Sequence, residues 1–497
     1  MTAVMKTHLP AFVVIIPVFV AVTLPTLARR LKWVETLVVG VQVLGIGGAI
    51  SLALLFFRRG MPLVYQMGGW PAPWGIELMA GSLTVLFILI VAGVGLPVHL
   101  YALGNLSAEV GGPQRSTRFY VFSLLLGGTL AGMALTNDLF NIYVLVEVAT
   151  LSCCSLVSAR KHPRAAEAAF KYLILATLGS ALILGGIGLI YVTTGHLNIG
   201  YASVELGRVW QHYPHVVWVA MSLMLVGFGV KSALFPLHSW LPDAHSLAPT
   251  PASALLSGLA VKGYLLCLIK ILFNVFGVSL LTQFSMDRVL VLLGMIAIIA
   301  ASLYALKTDE LKRRLAFSTV AQIGYIFLGL GLMNPRGLTG AFFHLTSHAV
   351  TKAALFLVAG AVISATGRNR ISELAGVGRK LPLVMGVFTV ACLGLVGIPL
   401  FSGFMGKWYL LLGSLETGNV LAAAVLIAGS VLCAAYLFPI IRVAYFAPAP
   451  AETSMGLGLP QKLALILLGA GVLLLGLFPG PCLELAKGVA HELLAIH

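Results

Sequence analysis

Apolar residues in this chain run in long uninterrupted blocks joined by short polar links, and a block of about 17 to 25 residues is what a helix needs to cross a bilayer. Such windows fall near residues 10–28, 34–57, 77–103, 117–136, 138–158, 167–194 and 215–235. Others follow near 249–275, 287–306, 312–332, 337–365, 382–414, 419–446 and 461–479. They predict an all-α polytopic membrane protein of roughly fourteen spans, because helices keep every backbone polar group satisfied inside lipid. The first block, Pro10 to Ala28, has the length of a secretory signal. No small-residue cleavage site precedes Arg29, however, and a second block follows at once, so it is expected to be the first span.

Composition agrees. Hydrophobic residues make up 59% of the chain and charged residues 9%, whereas about a quarter of a soluble protein is charged. The formal net charge of +15 would suggest nucleic acid in a soluble protein, but here the basic residues are spread over short loops and apolar segments, which excludes a nucleic-acid surface. They gather as Arg29, Arg30 and Lys32; Arg115 and Arg118; Arg160, Lys161 and Arg164; Lys312, Arg313 and Arg314; and Arg368, Arg370, Arg379 and Lys380. The positive-inside rule makes these loops cytoplasmic and puts both termini outside; Arg58 and Arg59 fall in an outside loop and count against that orientation. The cysteines at 153, 154, 267, 392, 433 and 482 form no metal or iron–sulfur pattern, and no Gly-rich phosphate loop follows a predicted strand. The chain is therefore expected to hold no metal and no cofactor, with any redox chemistry carried by other proteins.

Two spans contain breaks of similar composition. Lys231-Ser-Ala-Leu-Phe-Pro236-Leu-His238 places a lysine just before a proline, and Gly397-Ile-Pro399 to Lys407-Trp408 combines proline, glycines and a lysine. A lysine at mid-bilayer costs about 2.5–3.5 kcal/mol on insertion scales, so an intramembrane lysine is a functional candidate. Paired interruptions in two halves of a multispan protein are the trace of inverted repeats with a working site at each broken helix. Expected units are residues 1–110 (first three spans), 111–280 (first repeat, spans four to eight), 281–450 (second repeat, spans nine to thirteen) and 451–497 (last span).

Other ionisable residues lie inside spans. Glu147 sits alone in an apolar run, where burial would neutralise it unless a cation restores its charge, and Lys231 is the natural partner. A static pair that only fixes helix packing is the rival account. Lys262 and Lys270 share one helix face about 12 Å apart, where burial favours an amine that releases and regains a proton. Lys270 approaches the end of its span and could instead snorkel to the interface. His344, His348 and Lys352 follow at i, i+4 spacing and so form a row; zinc could suit the histidine pair, but no acid lies between them and no third ligand is evident. Ser318, Gln322 and Tyr325 share a face of the tenth span, which Lys307 flanks, and would hold either water or interhelical hydrogen bonds. Asp243 and His245, among Pro242, Pro249 and Pro251, suit a cap or a path to the cytoplasm equally well.

Four segments, Asp138–Glu147, Lys231–Gly263, Phe343–Gly360 and Gly397–Trp408, resemble the antiporter-like subunit family of respiratory complex I, Mrp multisubunit cation/proton antiporters and membrane-bound energy-converting hydrogenases. That resemblance implies fourteen helices, two inverted five-helix repeats, discontinuous helices 7 and 12, and a polar axis at mid-membrane. It implies that Glu147 is the helix-5 glutamate paired with Lys231 of helix 7, that Lys262 is the central lysine of helix 8, and that His344 and His348 are the helix-11 histidines. Lys407 matches the helix-12 position. His238, Lys270, Lys307 and Lys352 are secondary candidates. The family implies proton translocation, or sodium/proton exchange in the Mrp setting, within a complex of other membrane subunits and peripheral redox subunits. The chain ends soon after Cys482 and so resembles the shorter members. Its Asp138–Val144 and Thr194–Asn198 segments resemble the D-type Mrp subunits and hydrogenase-type relatives. The implied location is a prokaryotic cytoplasmic membrane.

Overall fold

The computed structural model describes residues 3–27, 30–448 and 456–495; Arg29 of the first basic cluster lies outside them. Its long helices are α1 (Ala3–Thr23), α2 (Leu31–Arg59), α3 (Ser82–Val110), α4 (Pro113–Leu135), α5 (Leu139–Ser158) and α6 (Pro163–Thr194). After a short α7 (Ile199–Val209) come α8 (Pro214–Lys231), α9 (Trp240–Leu247) and α10 (Thr250–Gln283), the last containing π-helical turns at Leu256–Ala260 and Leu272–Phe276. The rest are α11 (Met286–Lys307), α12 (Leu311–Gly331), α13 (Pro335–Thr366), α14 (Pro382–Val396), α15 (Gly403–Glu416), α16 (Val420–Phe446), α17 (Leu459–Leu477) and α18 (Gly480–Leu494).

Among the described residues, 13 helices are long and apolar enough to cross a membrane. The remaining predicted span, 382–414, is divided between α14 and α15, each too short alone. The 215–235 window likewise ends at Lys231, with α9 resuming beyond Ser239. At the two breaks Ala233 (φ 56°) and Leu400 (φ 74°) take left-handed backbone, which side chains other than glycine rarely adopt and which ends a helix abruptly.

Burial sorts the helices into a centre and a rim. The α12 window is 94% buried and that of α10 78%, against 28% for α1 and α2. Rim helices turn Phe19, Phe57, Leu178 and Val431 outward, as lipid-facing helices do. Helix ends carry their own caps: Asp138 accepts from Asn141 N at 2.7 Å, and Asn334 accepts from Gly337 N at 2.7 Å while donating to Gly413 O at 2.8 Å. Asn334 thus fixes the start of α13 and ties it to α15.

Two features differ from the sequence expectation. The third span begins at Ser82, not 77, because Glu77–Ala80 is strand β2, paired antiparallel with β1 (Leu63–Gln66). Asn137 Nδ2 donates to Glu77 Oε1 at 2.9 Å and Leu78 bridges Thr136, so this hairpin is anchored to the α4–α5 link. Beyond the fourteenth span an additional helix, α18, packs on α3 and α13. The hairpin, α18 and the start of α1 share one face, joined by His8 Nδ1 to Tyr65 OH at 3.0 Å and Ser82 N to Glu492 Oε2 at 2.9 Å; we call it the terminal face. The basic loops lie opposite, where Glu310 bridges Arg370.

Asn334→Ala, which removes both the α13 cap and the tie to α15, is expected to lower stability by about 1–2 kcal/mol, read as a reduced melting temperature in detergent. Asn334→Asp, which keeps the cap, should recover part of the loss.

Candidate functional site

The first cluster forms where α5, α6, α8 and α10 meet. Lys231 is wholly buried at the last position of α8; its Nζ lies 3.3 Å from Glu147 Oε1 and donates to Thr150 Oγ1 at 2.7 Å. Glu147, one turn before Thr150 on α5, also accepts from Ser180 Oγ of α6 and keeps 30% of its side chain exposed. The sequence-predicted ion pair is therefore present, with one partner immobilised and the other at the edge. Trp240 Nε1 donates to Val230 O at 2.8 Å, so the indole beyond the break shares with Ala233 N a carbonyl at the end of α8. Thr150 also meets Tyr264 OH at 3.4 Å, and Tyr264 meets Tyr172 OH at 3.3 Å. A line of hydroxyls thus leads from Lys231 to α10, two residues from Lys262.

Lys262 is buried with no acid beside it among the described residues; its ammonium donates to Ser257 O, in the π turn of α10. A π turn misaligns the helical ladder and turns carbonyls out of it, which is why such turns recur at functional positions. One turn before Lys262, Gly258 lets α13 come close: an added Cβ would stand 3.3 Å from Ala349 O, the carbonyl after His348. Along α13, His344 and His348 stack at 5.9 Å with rings 4° from parallel. All four of their ring nitrogens are buried without a hydrogen-bond partner among the described residues. A Cβ at Gly406 would meet the backbone of His344 at 3.0 Å, so Lys407 stands on the turn of α15 packed against the histidines.

Lys407 donates to Leu395 O and Val396 O, both at 2.9 Å, at the broken end of α14, and to Ser430 Oγ at 3.2 Å; its Nζ lies 4.6 Å from the centre of the Tyr325 ring. A cleft of about 340 Å³ lined by Phe404, Trp408, Ile427 and Ser430 opens beside it. Lys352, the third member of the α13 row, donates to Leu315 O at 2.8 Å and to Ser318 Oγ. The polar face of α12 is thereby divided: Ser318 serves Lys352, Tyr325 serves Lys407, and Gln322 lies between them with its Oε1 unpartnered among the described residues.

The structure thus brings Lys231, Lys262, His344, His348, Lys352 and Lys407 into one buried row, with the partly exposed Glu147 at its end. Lys270 lies on the same helix as Lys262 but toward the terminal face, buried rather than snorkelling, and donates to Ala134 O at 3.0 Å and Thr136 O. Lys307 is exposed at the end of α11 and stands apart from the row. His238 sits in the first break, stacked on Phe235 at 5.0 Å and beside Tyr304 and Phe317.

His245, for which the sequence allows a cap or a path, is buried with both ring nitrogens unpartnered among the described residues and stacks on Phe356 at 4.5 Å, one turn beyond Lys352. Lys312 donates to Ala248 O at 3.1 Å and Glu109 Oε2 accepts from Thr250 N at 2.6 Å. Each charge matches the helix end that it meets. Asp243 pairs with Arg313 at 3.0 Å and lies 3.8 Å from Lys171, in a polar cleft of about 460 Å³ on the basic-loop face. Among the described residues no group of three His, Cys, Asp or Glu is placed to hold a metal ion.

A row of protonatable side chains crossing the centre of a many-helix bundle, with interrupted helices at Lys231 and before Lys407, defines an ion-translocating membrane protein. Residues 136–433 match the family described as NADH:quinone oxidoreductase/Mrp antiporter, transmembrane, and the chain belongs to that family. It is 38% identical over 495 residues to the NADH-quinone oxidoreductase subunit N of Desulforudis audaxviator, spanning 95% of this chain and 96% of that one. A chain of an archaeal membrane-bound sulfane sulfur reductase, a respiratory membrane complex, superposes with a TM-score of 0.91 at 29% identity over 98% of both chains. A chain of the Mrp complex from a Dietzia species gives 0.89 at 26% identity, over 99% of this chain and 98% of that one. The protein is an integral membrane protein, similar to subunits of multisubunit complexes.

Thr150→Val, which keeps the shape but removes the hydroxyl between Lys231 and Tyr264, takes away a hydrogen bond to a charged group, typically about 1.5–3 kcal/mol. It is expected to slow ion movement about tenfold or more in vesicles holding the assembled complex, with Thr150→Ser near wild type.

Proposed function

We propose that this chain is the proton-translocating antiporter-like subunit of a multisubunit energy-converting complex of the complex I-like or membrane-bound hydrogenase type. The observation that supports it best is the row from Glu147 to Lys407, in which buried imidazoles keep nitrogens unpartnered among the described residues. A buried unsatisfied polar group costs about 1–3 kcal/mol, so such groups call for a role that inert packing does not supply. Loosening the Glu147–Lys231 contact lowers the proton affinity of Lys231. Charge then moves through Lys262 and the histidines to Lys407, each step biased by Coulomb coupling between neighbours.

In this proposal residues 111–280 and 281–450 are two inverted repeats, flanked by 1–110 and 451–497. The chain sits in a prokaryotic cytoplasmic membrane with both termini outside. Its partners are other membrane subunits and peripheral redox subunits, and the electron chemistry and its cofactors belong to the latter. The similarity to the Mrp complex favours a second setting, in which the chain is a D-type Mrp component that exchanges sodium for protons without a redox partner.

Lys231→Ala and Glu147→Ala are each expected to abolish coupled ion movement in vesicles carrying the intact complex while subunit assembly persists. Wild-type movement in either variant would sink the proposal. Sodium-dependent exchange without an electron donor would select the Mrp setting.

A further inference from the structure

Lys270 has no place in the row from Glu147 to Lys407, yet it is as deeply buried as its members, 3% exposed. Its ammonium is held by Ala134 O at 3.0 Å and by Thr136 O, at the end of α4. Capping a helix C-terminus needs only a glycine or a surface cation; enclosing an ammonium for that purpose is out of proportion to the gain. Two neighbours indicate what else it does.

One turn further along the same face of α10, in the second π turn, Asn274 Oδ1 is buried with no donor among the described residues. Beyond it α18 crosses the end of α10 and brings in Glu492, whose Oε2 accepts from Ser82 N at 2.9 Å and whose carboxylate lies against the bare Cα of Gly81. Thr84, two residues on, donates to Ala134 O at 2.8 Å, the carbonyl that also holds Lys270. A single turn of α3 therefore separates the acid from the lysine cage. The nearby carboxylate Glu77 is engaged by Asn137 at 2.9 Å. Lys262, Lys270 and Asn274 thus lie along one helix face, and Glu492, half-buried, stands where that face meets the terminal surface.

We propose that Lys270, Asn274 and Glu492 form a second outlet from the central lysine, running along α10 to the terminal face, with α18 supplying its last acid and covering its mouth. Lys270 takes up a proton released by Lys262, relayed by water over the roughly 12 Å between them, and gives it to the Glu492 carboxylate, which releases it to the outside. Only N–H and O–H bonds are exchanged. This outlet rests on the translocation proposed above.

The test uses the intact complex in proteoliposomes, with dye-reported proton movement normalised to assembled complex. Glu492→Gln keeps an oxygen for Ser82 N but cannot take up a proton. Lys270→Arg keeps a cation for the α4 carbonyls but does not release one. Both are expected to assemble and to lower proton movement at least about fivefold, with Glu492→Asp restoring it. Wild-type movement in Glu492→Gln, with loss confined to a poorly assembled Glu492→Ala, would make Glu492 a cap and overturn the outlet. So would full movement in an assembled Lys270→Arg; if the arginine prevents assembly, Glu492→Gln decides. Lys231→Ala run in parallel separates the two proposals: if it abolishes movement while Glu492→Gln does not, only the outlet fails.

Discussion

An ammonium group inside hydrocarbon has to be surrounded by oxygen, and the architecture of this protein follows from where those oxygens are found. Lys231, Lys262, Lys270, Lys352 and Lys407 are all buried, and among the described residues only Lys231 of these five contacts a carboxylate. The others are held chiefly by main-chain carbonyls. Most carbonyls of a regular helix are already engaged, so three of these lysines sit at irregularities. The π turn at Leu256–Ala260 frees Ser257 O, the end of α4 provides Ala134 and Thr136, and the broken end of α14 provides Leu395 and Val396. For Lys352, Ser318 is bonded to the same carbonyl, Leu315 O, and adds its own hydroxyl. Helix ends contribute further, since the last turn carries about half a negative charge. The interruptions therefore solvate the lysines as well as bending the chain.

Carbonyl dipoles and a carboxylate do this differently. A carbonyl cage is fixed by its helix and stabilises a cation by a constant amount, whereas a carboxylate on a partly exposed side chain can approach or withdraw. Glu147 is tethered by Ser180 on one side and 30% exposed on the other, so its distance from Lys231 is the least constrained variable in the row. A modest change in that distance is worth several kcal/mol in a medium of low dielectric constant, as an upper bound. The site thus places its one adjustable contact at the end where the first break lies, and its fixed contacts after it.

Much of this was legible in the sequence because hydrophobic blocks broken by lysine and proline leave few alternatives. Glu147 and Lys231 could be paired on the page, since each charge in an apolar run demands the other, and the i, i+4 spacing of His344, His348 and Lys352 made their row visible. The carbonyl cages were hidden because every residue carries the same carbonyl and the π turns have no residue signature. The hairpin escaped because two four-residue strands offer too few alternations to show a period, and α18 because fifteen mixed residues beyond the last apolar block do not read as a span. Lys307 and Lys270 are the same residue type near the ends of their spans. Only packing leaves the first exposed and encloses the second against the end of α4.

In the proposed pathway the histidine pair links lysines that have no acid beside them among the described residues. A second carboxylate between Lys262 and Lys407 would pin both cations and deepen the wells from which a proton has to escape. A neutral imidazole presents a donor and an acceptor at once and carries no net charge, so it can pass a proton without trapping one. Parallel rings 5.9 Å apart with all four nitrogens unpartnered among the described residues leave those groups free for water or for each other. Their other faces are closed by Tyr325, at 5.3 Å from His344, and by the turns of α10 and α15. Gly258 and Gly406 matter for the same reason. By letting neighbouring backbones approach α13, they bring the helix turns that carry Lys262 and Lys407 against the histidine helix.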